Sequence, residues 1–361
     1  MKGQNSSIIG SQNIVLGSNT IILGSNNNNT GSNNQLIGDQ NNAAGDQNII
    51  KGRVNNVIGF NNNITGDINT LLGDSNSVNG NNNKAAGNNN KINGNVNILK
   101  GDNNTISGNQ NLLQGNEAII NGSYNAVSGN KNTVNGNENT AIGNNNKIDG
   151  SKNQLLGSSN TVAGSQNILE GDRNSLKGSM NTVSGSDNKL SGSSNMVKGG
   201  SNTLSGSFNG ISGFDNQLMG NFNLLQGDSN KVKGDANSIN GNLNQLIGSN
   251  NSLTGNENKV KGSQNLLMGD KNAIEGSLNK VSGSSNTMMG DMNTLMGSFN
   301  SILGSQNSVK GSSNVLNGNQ NLVLGSENKL KGNSNQISGS SNTVNGNNNL
   351  VITDLSGFDF F

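Results

Sequence analysis

The sequence predicts an all-β protein, a parallel β-solenoid built from a seven-residue unit. Glycine recurs at every seventh position from Gly3 to Gly346 without an insertion or a deletion. The fourth position of the unit is Asn in all but three repeats, and the sixth is apolar in all but one. A disordered chain has no physical reason to keep such a phase, because an insertion costs it nothing. The phase therefore predicts an ordered repeat protein, a single continuous solenoid over residues 1–352.

Other structures are less consistent with this pattern. Composition alone would suggest disorder, since 29% of the residues are hydrophobic, 2% are aromatic and 53 are glycine. A coiled coil needs two apolar positions in every seven, whereas this unit has one. Fifty glycines in helices would also cost roughly 50 kcal/mol, at about 1 kcal/mol for each. A glycine spacing of seven and the absence of proline exclude collagen.

Each unit is predicted to form one short strand and one tight turn. The fourth and sixth positions are two residues apart, so in a strand they point to the same side, and we expect both inside. Glycine at the first position accepts a positive φ angle, and the Ser, Asp or Asn that follows it is expected to bond locally to the backbone. Six consecutive units in residues 157–198 show the rule best. They supply the turn glycines Gly157, Gly164, Gly171, Gly178, Gly185 and Gly192, the inward asparagines Asn160, Asn167, Asn174, Asn181, Asn188 and Asn195, and the core aliphatics Val162, Leu169, Leu176, Val183, Leu190 and Val197.

The third position indicates how many units make one coil of the solenoid. With the units numbered from zero at Gly3, apolar or aromatic residues at this position fall in odd-numbered units, except for Leu243 and Phe299. Charged residues at the same position favour even-numbered units. The period is therefore fourteen residues, with two strands in each coil and 25 coils in fifty units.

The inward asparagines are predicted to hold the coils together. One buried aliphatic side chain contributes about 1.5–3 kcal/mol, while ordering seven residues costs at least about 7 kcal/mol of backbone entropy. Two aliphatics in each coil are therefore too few on their own. We expect the asparagine amides to stack in a ladder along the solenoid axis, or to close the turn by bonding to its backbone.

The odd-numbered units are the candidate surface for lateral association. Their third positions gather apolar and aromatic side chains, and ten of the fifteen aliphatics at the fifth position also lie in these units. A face of this kind fits a second copy of the chain, whereas scattered surface aliphatics need no explanation. The candidate lateral interface consists of Val54, Ile68, Val96, Tyr124, Met180, Phe208, Phe222, Leu278 and Met292.

Both ends of the array are more apolar than its middle. Solenoid ends usually need a polar cap, because an open strand edge pairs with further strands. We expect the ends either to be covered by the C-terminal tail, residues 353–361, or to join copies head to tail in a fibre. The candidate end-to-end interface consists of Ile8, Ile14, Ile21, Leu350, Ile352, Phe358, Phe360 and Phe361.

The composition argues against several classes of function. A net charge of +1, from 22 basic and 21 acidic residues, offers no basic field for nucleic acid or for a membrane. Cysteine and histidine are absent, which removes disulfides, thiol chemistry and Cys/His zinc sites. Aspartates at the second position are too sporadic for a calcium stack. Without a carboxylate cluster or an inserted loop, we expect no catalytic residue, no metal and no cofactor.

The Gly-x-x-Asn-x-aliphatic-x unit, paired into fourteen-residue coils, resembles the head repeats of trimeric autotransporter adhesins, the YadA-like β-roll. The pattern covers Gly3 to Ile352, with Asn where that family more often has Ser, and larger aliphatics where it favours Ala. The resemblance implies left-handed rolls in which three chains associate through their apolar faces. The last five residues, GFDFF, resemble the endings of type I secretion substrates.

These observations predict a non-enzymatic structural protein that self-assembles into an extracellular filament or an adhesive surface layer, with itself as its partner. The alternative is a surface-binding solenoid, such as an adhesin head or an ice-binding protein. An ice binder needs regular outward threonines, and those at the fifth position, such as Thr161 and Thr182, are interleaved with Lys, Ser and Gln. An intracellular scaffold protein is a further alternative. The sequence shows no cleavable N-terminal signal peptide and no apolar run of membrane-spanning length.

Overall fold

A computed structural model describes residues 4–353, and every regular element in that range is a three-residue strand. The strands occupy the fifth, sixth and seventh positions of the units. The described residues contain no helix, and hence none that is long and apolar enough to cross a membrane. The chain divides into two compact units, Met1–Asn181 and Thr182–Phe361, which we call the first and second halves. The prediction of one continuous solenoid over residues 1–352 stays a prediction.

The first half contains the strands β1 (Ser7–Ile9), β2 (Ile14–Leu16), β3 (Ile21–Leu23), β4 (Asn28–Thr30), β5 (Gln35–Ile37), β6 (Asn42–Ala44), β7 (Ile49–Lys51), β8 (Asn56–Ile58), β9 (Asn63–Thr65), β10 (Thr70–Leu72), β11 (Ser77–Asn79), β12 (Lys84–Ala86), β13 (Lys91–Asn93), β14 (Ile98–Lys100), β15 (Thr105–Ser107), β16 (Leu112–Gln114), β17 (Ile119–Asn121), β18 (Ala126–Ser128), β19 (Thr133–Asn135), β20 (Thr140–Ile142), β21 (Lys147–Asp149), β22 (Gln154–Leu156), β23 (Thr161–Ala163), β24 (Ile168–Glu170) and β25 (Ser175–Lys177).

The second half contains the strands β26 (Thr182–Ser184), β27 (Lys189–Ser191), β28 (Met196–Lys198), β29 (Thr203–Ser205), β30 (Gly210–Ser212), β31 (Gln217–Met219), β32 (Leu224–Gln226), β33 (Lys231–Lys233), β34 (Ser238–Asn240), β35 (Gln245–Ile247), β36 (Ser252–Thr254), β37 (Lys259–Lys261), β38 (Leu266–Met268), β39 (Ala273–Glu275), β40 (Lys280–Ser282), β41 (Thr287–Met289), β42 (Thr294–Met296), β43 (Ser301–Leu303), β44 (Ser308–Lys310), β45 (Val315–Asn317), β46 (Leu322–Leu324), β47 (Lys329–Lys331), β48 (Gln336–Ser338), β49 (Thr343–Asn345) and β50 (Leu350–Ile352).

Within each half, every strand pairs in parallel with the strand two further along the chain. Paired residues are fourteen apart, as in Ser7 with Ile21 and Lys231 with Gln245. The odd-numbered strands of a half therefore form one sheet, and the even-numbered strands form another. We call these the odd sheet and the even sheet of that half. The register confirms the fold class, a parallel β-solenoid of about 25 coils with two strands in each fourteen-residue coil.

The middle residue of each strand points inward, and its two neighbours point to solvent. The burial pattern is exposed, buried, exposed along nearly every strand, as in β25 and β33. The six predicted core aliphatics Val162, Leu169, Leu176, Val183, Leu190 and Val197 are all buried, with at most 2% of their surface exposed. Each seven-residue unit thus places one aliphatic position, in the middle of its strand, and one polar position, just before the strand, inside the coil.

The glycines at the first position are required by a close approach between coils. The predicted turn glycines Gly157, Gly164, Gly171, Gly178, Gly185 and Gly192 have φ angles between 128° and 134°. A Cβ on Gly157 would overlap the carbonyl oxygen of Gly171, one coil further along. Both the backbone angle and the lack of space therefore exclude a side chain.

The third position adopts a left-handed backbone conformation that the sequence pattern did not reveal. Every described residue there has a φ angle between 55° and 63°, including the β-branched Val54 and Ile68. Its N–H donates to a carbonyl fifteen residues earlier, as from Val54 to Asp39 at 3.0 Å. These residues therefore lie on the corner between two strands, whereas the prediction placed them together with the outward strand residues on one face.

The side chains at the second position bond to the neighbouring coil, so the expectation that they bond locally was wrong. The N–H of Ser25 donates to Oδ1 of Asp39 at 2.7 Å, and the N–H of Asn81 donates to Oδ1 of Asn95 at 2.8 Å. In both bonds the donor and acceptor residues are fourteen apart, which is one coil of the solenoid. Short polar residues follow the glycine because their side chains reach the backbone N–H of the preceding turn, one coil earlier along the solenoid.

Candidate functional site

The asparagine at the fourth position makes both kinds of bond that the sequence left open. In the first half, Nδ2 of Asn160 donates to Oδ1 of Asn146 at 3.2 Å and to the carbonyl of Gly171 at 2.8 Å. The N–H of Asn160 also donates to Oδ1 of Asn146 at 3.0 Å. Asn258 repeats the three bonds in the second half. The amide is therefore a rung of a ladder and also a tie to the turn backbone.

The polar interior is satisfied throughout the described residues. The predicted inward asparagines Asn160, Asn167, Asn174, Asn181, Asn188 and Asn195 are buried. No buried side-chain nitrogen or oxygen in residues 4–353 lacks a hydrogen-bond partner. Because an unsatisfied buried polar group costs about 1–3 kcal/mol, this completeness explains why so polar a core is stable. The ladder is structural, so a binding function has to be sought on the outer surface.

Two departures from the repeat compensate for one another inside the first half. Asn29 occupies an aliphatic position, and its Nδ2 donates to Oγ1 of Thr20 at 3.3 Å and to the carbonyl of Gly31 at 2.9 Å. Its Oδ1 accepts from Nδ2 of Asn34 at 2.8 Å. Thr20 itself replaces one of the inward asparagines. The irregular unit is therefore a closed hydrogen-bonded network and not a defect that exposes the core.

The odd sheet of the first half carries a patch that we call the small-polar face. It comprises the outward residues of six consecutive strands, β9, β11, β13, β15, β17 and β19. These residues are Asn63, Thr65, Ser77, Asn79, Lys91, Asn93, Thr105, Ser107, Ile119, Asn121, Thr133 and Asn135. Lys91 is the one charged side chain among them, and Ile119 is the one large apolar side chain.

The side chains of the small-polar face are held in register. Nδ2 of Asn121 donates to Oδ1 of Asn135 at 3.0 Å, and Nδ2 of Asn79 reaches Oδ1 of Asn93 at 3.4 Å. Neighbouring strands lie about 4.8 Å apart, and the two outward residues of a strand are separated by about 6.6 Å. The strand interiors beneath the patch are Ile64, Val78, Ile92, Ile106, Ile120 and Val134, all buried. The patch is thus a rigid two-dimensional array of short polar groups.

The even sheet of the first half has a different surface. Its outward positions hold large apolar side chains that are about half exposed. They include Ile14, Leu16, Ile58, Leu72, Ile98, Leu112, Ile142, Leu156 and Ile168. Ile142, Gln154, Leu156 and Ile168 line a shallow groove on this sheet. This surface is apolar and uneven, unlike the small-polar face.

The odd sheet of the second half carries three strands in which both outward residues are lysine. We call this patch the lysine face, and it consists of Lys231, Lys233, Lys259, Lys261, Lys329 and Lys331 on β33, β37 and β47. All six side chains are exposed. Nζ of Lys261 contacts Oε1 of Glu275 on β39 at 2.8 Å. This hydrogen bond and the negative charge of Glu275 raise the pKa of Lys261.

The candidate lateral interface lies along the corner that leads into the even sheets. Val54, Ile68, Val96, Tyr124, Met180, Phe208, Phe222, Leu278 and Met292 each have about half of their surface exposed. The rings of Phe208 and Phe222 stack with centroids 5.0 Å apart and planes 4° apart. Whether this corner contacts another copy stays a prediction.

The candidate end-to-end residues are placed only in part. Ile14, Ile21, Leu350 and Ile352 are exposed, and Ile8 is half-buried. Phe358, Phe360 and Phe361 lie outside the described residues. At residue 353 the seven-residue lattice has Thr in place of Gly, and Oγ1 of Thr353 accepts from Nδ2 of Asn342 at 3.0 Å. This hydroxyl takes the place of the glycine carbonyl that closes the other turns.

The surface of the described residues offers ordered arrays of side chains. In residues 4–353, no three His, Cys, Asp or Glu side chains come close enough together to hold a metal ion. Sequence reasoning missed the small-polar face and the lysine face, because it followed the fifth position and left the seventh unread. Reading both outward positions of alternate units together would have found them.

Comparison with known families identifies the repeat. The family described as the grass antifreeze beta roll matches residues 60–164, 128–213, 211–304 and 285–356, which together span more than half of the chain. No curated protein matches the chain. A β-roll is also what the resemblance to adhesin heads implies, but the match gives no support to the autotransporter family itself. The small-polar face lies within the matched residues.

Proposed function

Because the chain belongs to the grass antifreeze beta-roll family, we propose that it is a non-enzymatic surface-binding protein that adsorbs to ice. The small-polar face is the proposed contact surface. The observation that carries the proposal is the regular array on β9 to β19, where twelve outward positions hold one charged residue. Extracellular water is where such a protein would meet ice, so we also propose an extracellular or surface location.

The chemistry of the small-polar face supports adsorption to a crystalline solid. A charged side chain keeps its hydration shell, because removing it from water costs several kcal/mol. Short hydroxyl and amide groups can instead exchange hydrogen bonds with ordered water at little cost. The two spacings of the array, about 4.8 Å and about 6.6 Å, repeat over six strands, and a regular array of this kind suits the regular lattice of a crystal.

Rigidity matters as much as composition. Each contact with ice is weak, so adsorption needs many groups that bind at once without first losing conformational freedom. The N–H of Thr105 donates to the carbonyl of Ala118 at 2.9 Å, and that of Thr133 to the carbonyl of Asn146 at 2.8 Å. The threonines are therefore fixed to a fully bonded sheet before they reach the crystal.

The test is the effect of two threonine substitutions on ice growth by the full chain. We expect Thr105→Lys with Thr133→Lys to remove most of the thermal hysteresis, because two long cations interrupt the flat array. The matched control is Thr70→Lys with Thr140→Lys, which adds the same charge at fifth positions of the even sheet. Ice growth that is unaffected by the unmodified chain, or equal losses in the two double variants, would contradict the proposal.

A second candidate function is self-association along the corner that leads into the even sheets. Left-handed backbone angles are costly for β-branched residues, yet Val54, Ile68 and Val96 adopt them at this corner. Apolar side chains that are retained despite this backbone cost indicate a role in binding. A second copy of the chain suits this role, because the adjoining even sheet is also apolar.

Sedimentation velocity of the full chain tests this second candidate. We expect Phe208→Asn with Leu278→Asn to shift the protein toward monomer. The control is Leu243→Asn with Phe299→Asn, which alters two apolar third positions on the other corner and should leave the mass unchanged. A chain that is monomeric at every concentration would exclude self-association.

A further inference from the structure

The near-neutral charge of the chain conceals a segregation of charge in the second half. At the outward strand positions of this half, ten residues are lysine and one is acidic, Glu275. The other described acidic residues of this half lie at the second and third positions, on the corners. The lysines are Lys189, Lys198, Lys231, Lys233, Lys259, Lys261, Lys280, Lys310, Lys329 and Lys331. Seven of them lie on the odd sheet, so most of the exposed positive charge of this half is on one sheet.

The fold gives no reason for the paired lysines of the lysine face. Lys231 and Lys233 project from the same side of β33, about 6.6 Å apart, and therefore repel one another. Among the described residues, only Lys261 of the six forms an ion pair. An acidic residue on a neighbouring strand would relieve the repulsion, as Glu275 does for Lys261. The strands beside β33 and β47 instead carry uncharged residues such as Gln217, Gln245 and Asn317.

The lysine pairs of β33 and β37 lie at a defined spacing. β33 and β37 are both paired with β35, so their lysines are two strand spacings apart, about 9.6 Å. Between them lie the outward residues Gln245 and Ile247. The acidic residues near these lysines along the chain lie on the corners: Glu257 is at the third position, two residues before Lys259, and Oδ1 of Asp228 accepts from the N–H of Phe214 at 2.7 Å. Asp270 is held in the same way by the N–H of Asn256. Four ammonium groups thus surround a floor without acidic residues.

We propose that the lysine face binds a linear acidic polysaccharide that lies along the solenoid axis. The face is two side chains wide and runs over eight strands of the odd sheet, which suits one extended polymer chain. The separation of about 9.6 Å between the lysine pairs of β33 and β37 is similar to the disaccharide repeat of an extended polysaccharide, and the pair on β47 lies five strand spacings, about 24 Å, beyond β37. A polymer with one carboxylate in every disaccharide would therefore meet the pairs on β33 and β37 at two successive acidic sugars, and the pair on β47 further along its length.

Other polyanions fit the face less well. Single-stranded nucleic acids bind proteins by stacking their bases on aromatic side chains, and the outward positions of this sheet hold no aromatic residue. Their charges are also more closely spaced than the lysine pairs. An anionic membrane would present charge over a wide area and would meet the acidic corners as well as the face. This binding does not depend on the proposed contact with ice, which involves the other half of the chain.

The test is retention of the full chain on immobilised hyaluronan, with neutral dextran as the reference matrix. We expect retention at low ionic strength and release as the salt concentration rises, because exposed ion pairs are screened by salt. The variant changes Lys231, Lys233, Lys259, Lys329 and Lys331 to Gln, a residue that already occurs at outward strand positions. It should weaken binding at least about tenfold, since five exposed ion pairs are lost.

The matched control changes Lys84, Lys100, Lys198, Lys280 and Lys310 to Gln on the even sheets, which gives the same net charge. It should retain hyaluronan binding, and both variants should keep the thermal unfolding midpoint of the parent. No retention of the parent chain at low salt, or equal losses in both variants, would overturn the proposal. Tighter binding to phosphatidylserine vesicles or to a single-stranded DNA than to hyaluronan would also overturn it.

Discussion

The odd sheets of the two halves differ in what they present to solvent while their backbones are alike. From β9 to β19 the outward residues are small and mostly uncharged, whereas from β33 to β47 they include three lysine pairs. Both sheets have the same three-residue strands, the same fourteen-residue register and the same buried middle residue. The comparison shows that the interior leaves the fifth and seventh positions free to vary. Different surfaces can therefore be placed along one repeat without changing the fold.

Adding a side chain at a turn glycine should cause the largest loss of free energy of unfolding, and the loss should be equal in both halves. A Cβ on Gly108 would overlap the carbonyl of Gly122, and a Cβ on Gly262 that of Gly276. We expect Gly108→Ala and Gly262→Ala each to lower the free energy of unfolding by about 4 kcal/mol or more. Denaturant unfolding of the full chain measures this.

Gly210 offers the control, because it occupies an outward strand position with an ordinary backbone angle. A Cβ there would meet only the end of the Leu224 side chain. Gly210→Ala should therefore change the free energy of unfolding by less than about 1 kcal/mol. A marked difference in free energy of unfolding between Gly108→Ala and Gly262→Ala would show that the interiors of the two halves are not packed alike.

Removing one rung of the asparagine ladder should have the next largest effect. Asn111→Ala would leave the carbonyl of Gly122 and the N–H of Asn125 without their partners. Asn265→Ala would do the same to Gly276 and Asn279 in the second half. We expect each to lower the free energy of unfolding by about 2–5 kcal/mol, whereas the exposed Asn121→Ala should change it by less than about 0.5 kcal/mol.

The chain already contains this substitution at Ala118, so the reverse change is available. Ala118 has no amide, and Asn132 keeps the bond from its Nδ2 to the carbonyl of Gly143 at 2.7 Å. Ala118→Asn restores the missing rung and should raise the free energy of unfolding by about 1 kcal/mol. Destabilisation by Ala118→Asn would show that the ladder is not what holds neighbouring coils together.

Exchanging the surfaces tests whether the interior and the outside are independent. Placing lysine at Thr105, Ser107, Thr133 and Asn135 copies the pattern of β33 and β37 onto β15 and β19. The variant should lose thermal hysteresis and gain retention on hyaluronan. Its free energy of unfolding should change by less than about 1 kcal/mol, because exposed charges interact weakly in water. Loss of folding instead would mean that the outward positions cannot vary independently of the interior.

The sequence predicts the parts of the fold that every unit must repeat. Gly157, Asn160 and Val162 recur with their spacing because each contact they make is repeated by the next coil. The left-handed third position was missed, because Asn, Ser, Lys and Phe all occur there and no single residue type marks the angle. The bonds of the second position, as from Ser25 to Asp39, need knowledge of which backbone groups lie one coil away. The two faces were missed because they depend on pairs of outward positions across alternate units.

The smallest expected effect is a difference in free energy of unfolding between substitutions at the corners of the two halves. In the first half the corner that leads into the even sheet includes the β-branched Val54, Ile68 and Val96, all at positive φ angles. In the second half the apolar residues at this corner, such as Leu278, are not β-branched. Asparagine tolerates the left-handed conformation, so Ile68→Asn should raise the free energy of unfolding by about 1 kcal/mol. Leu278→Asn should raise it by less, and thermal unfolding of the two variants at a concentration where the chain is monomeric measures the difference. Equal gains would mean that branching at Cβ adds no cost at this corner, and the argument that Ile68 is kept for its side chain would fail.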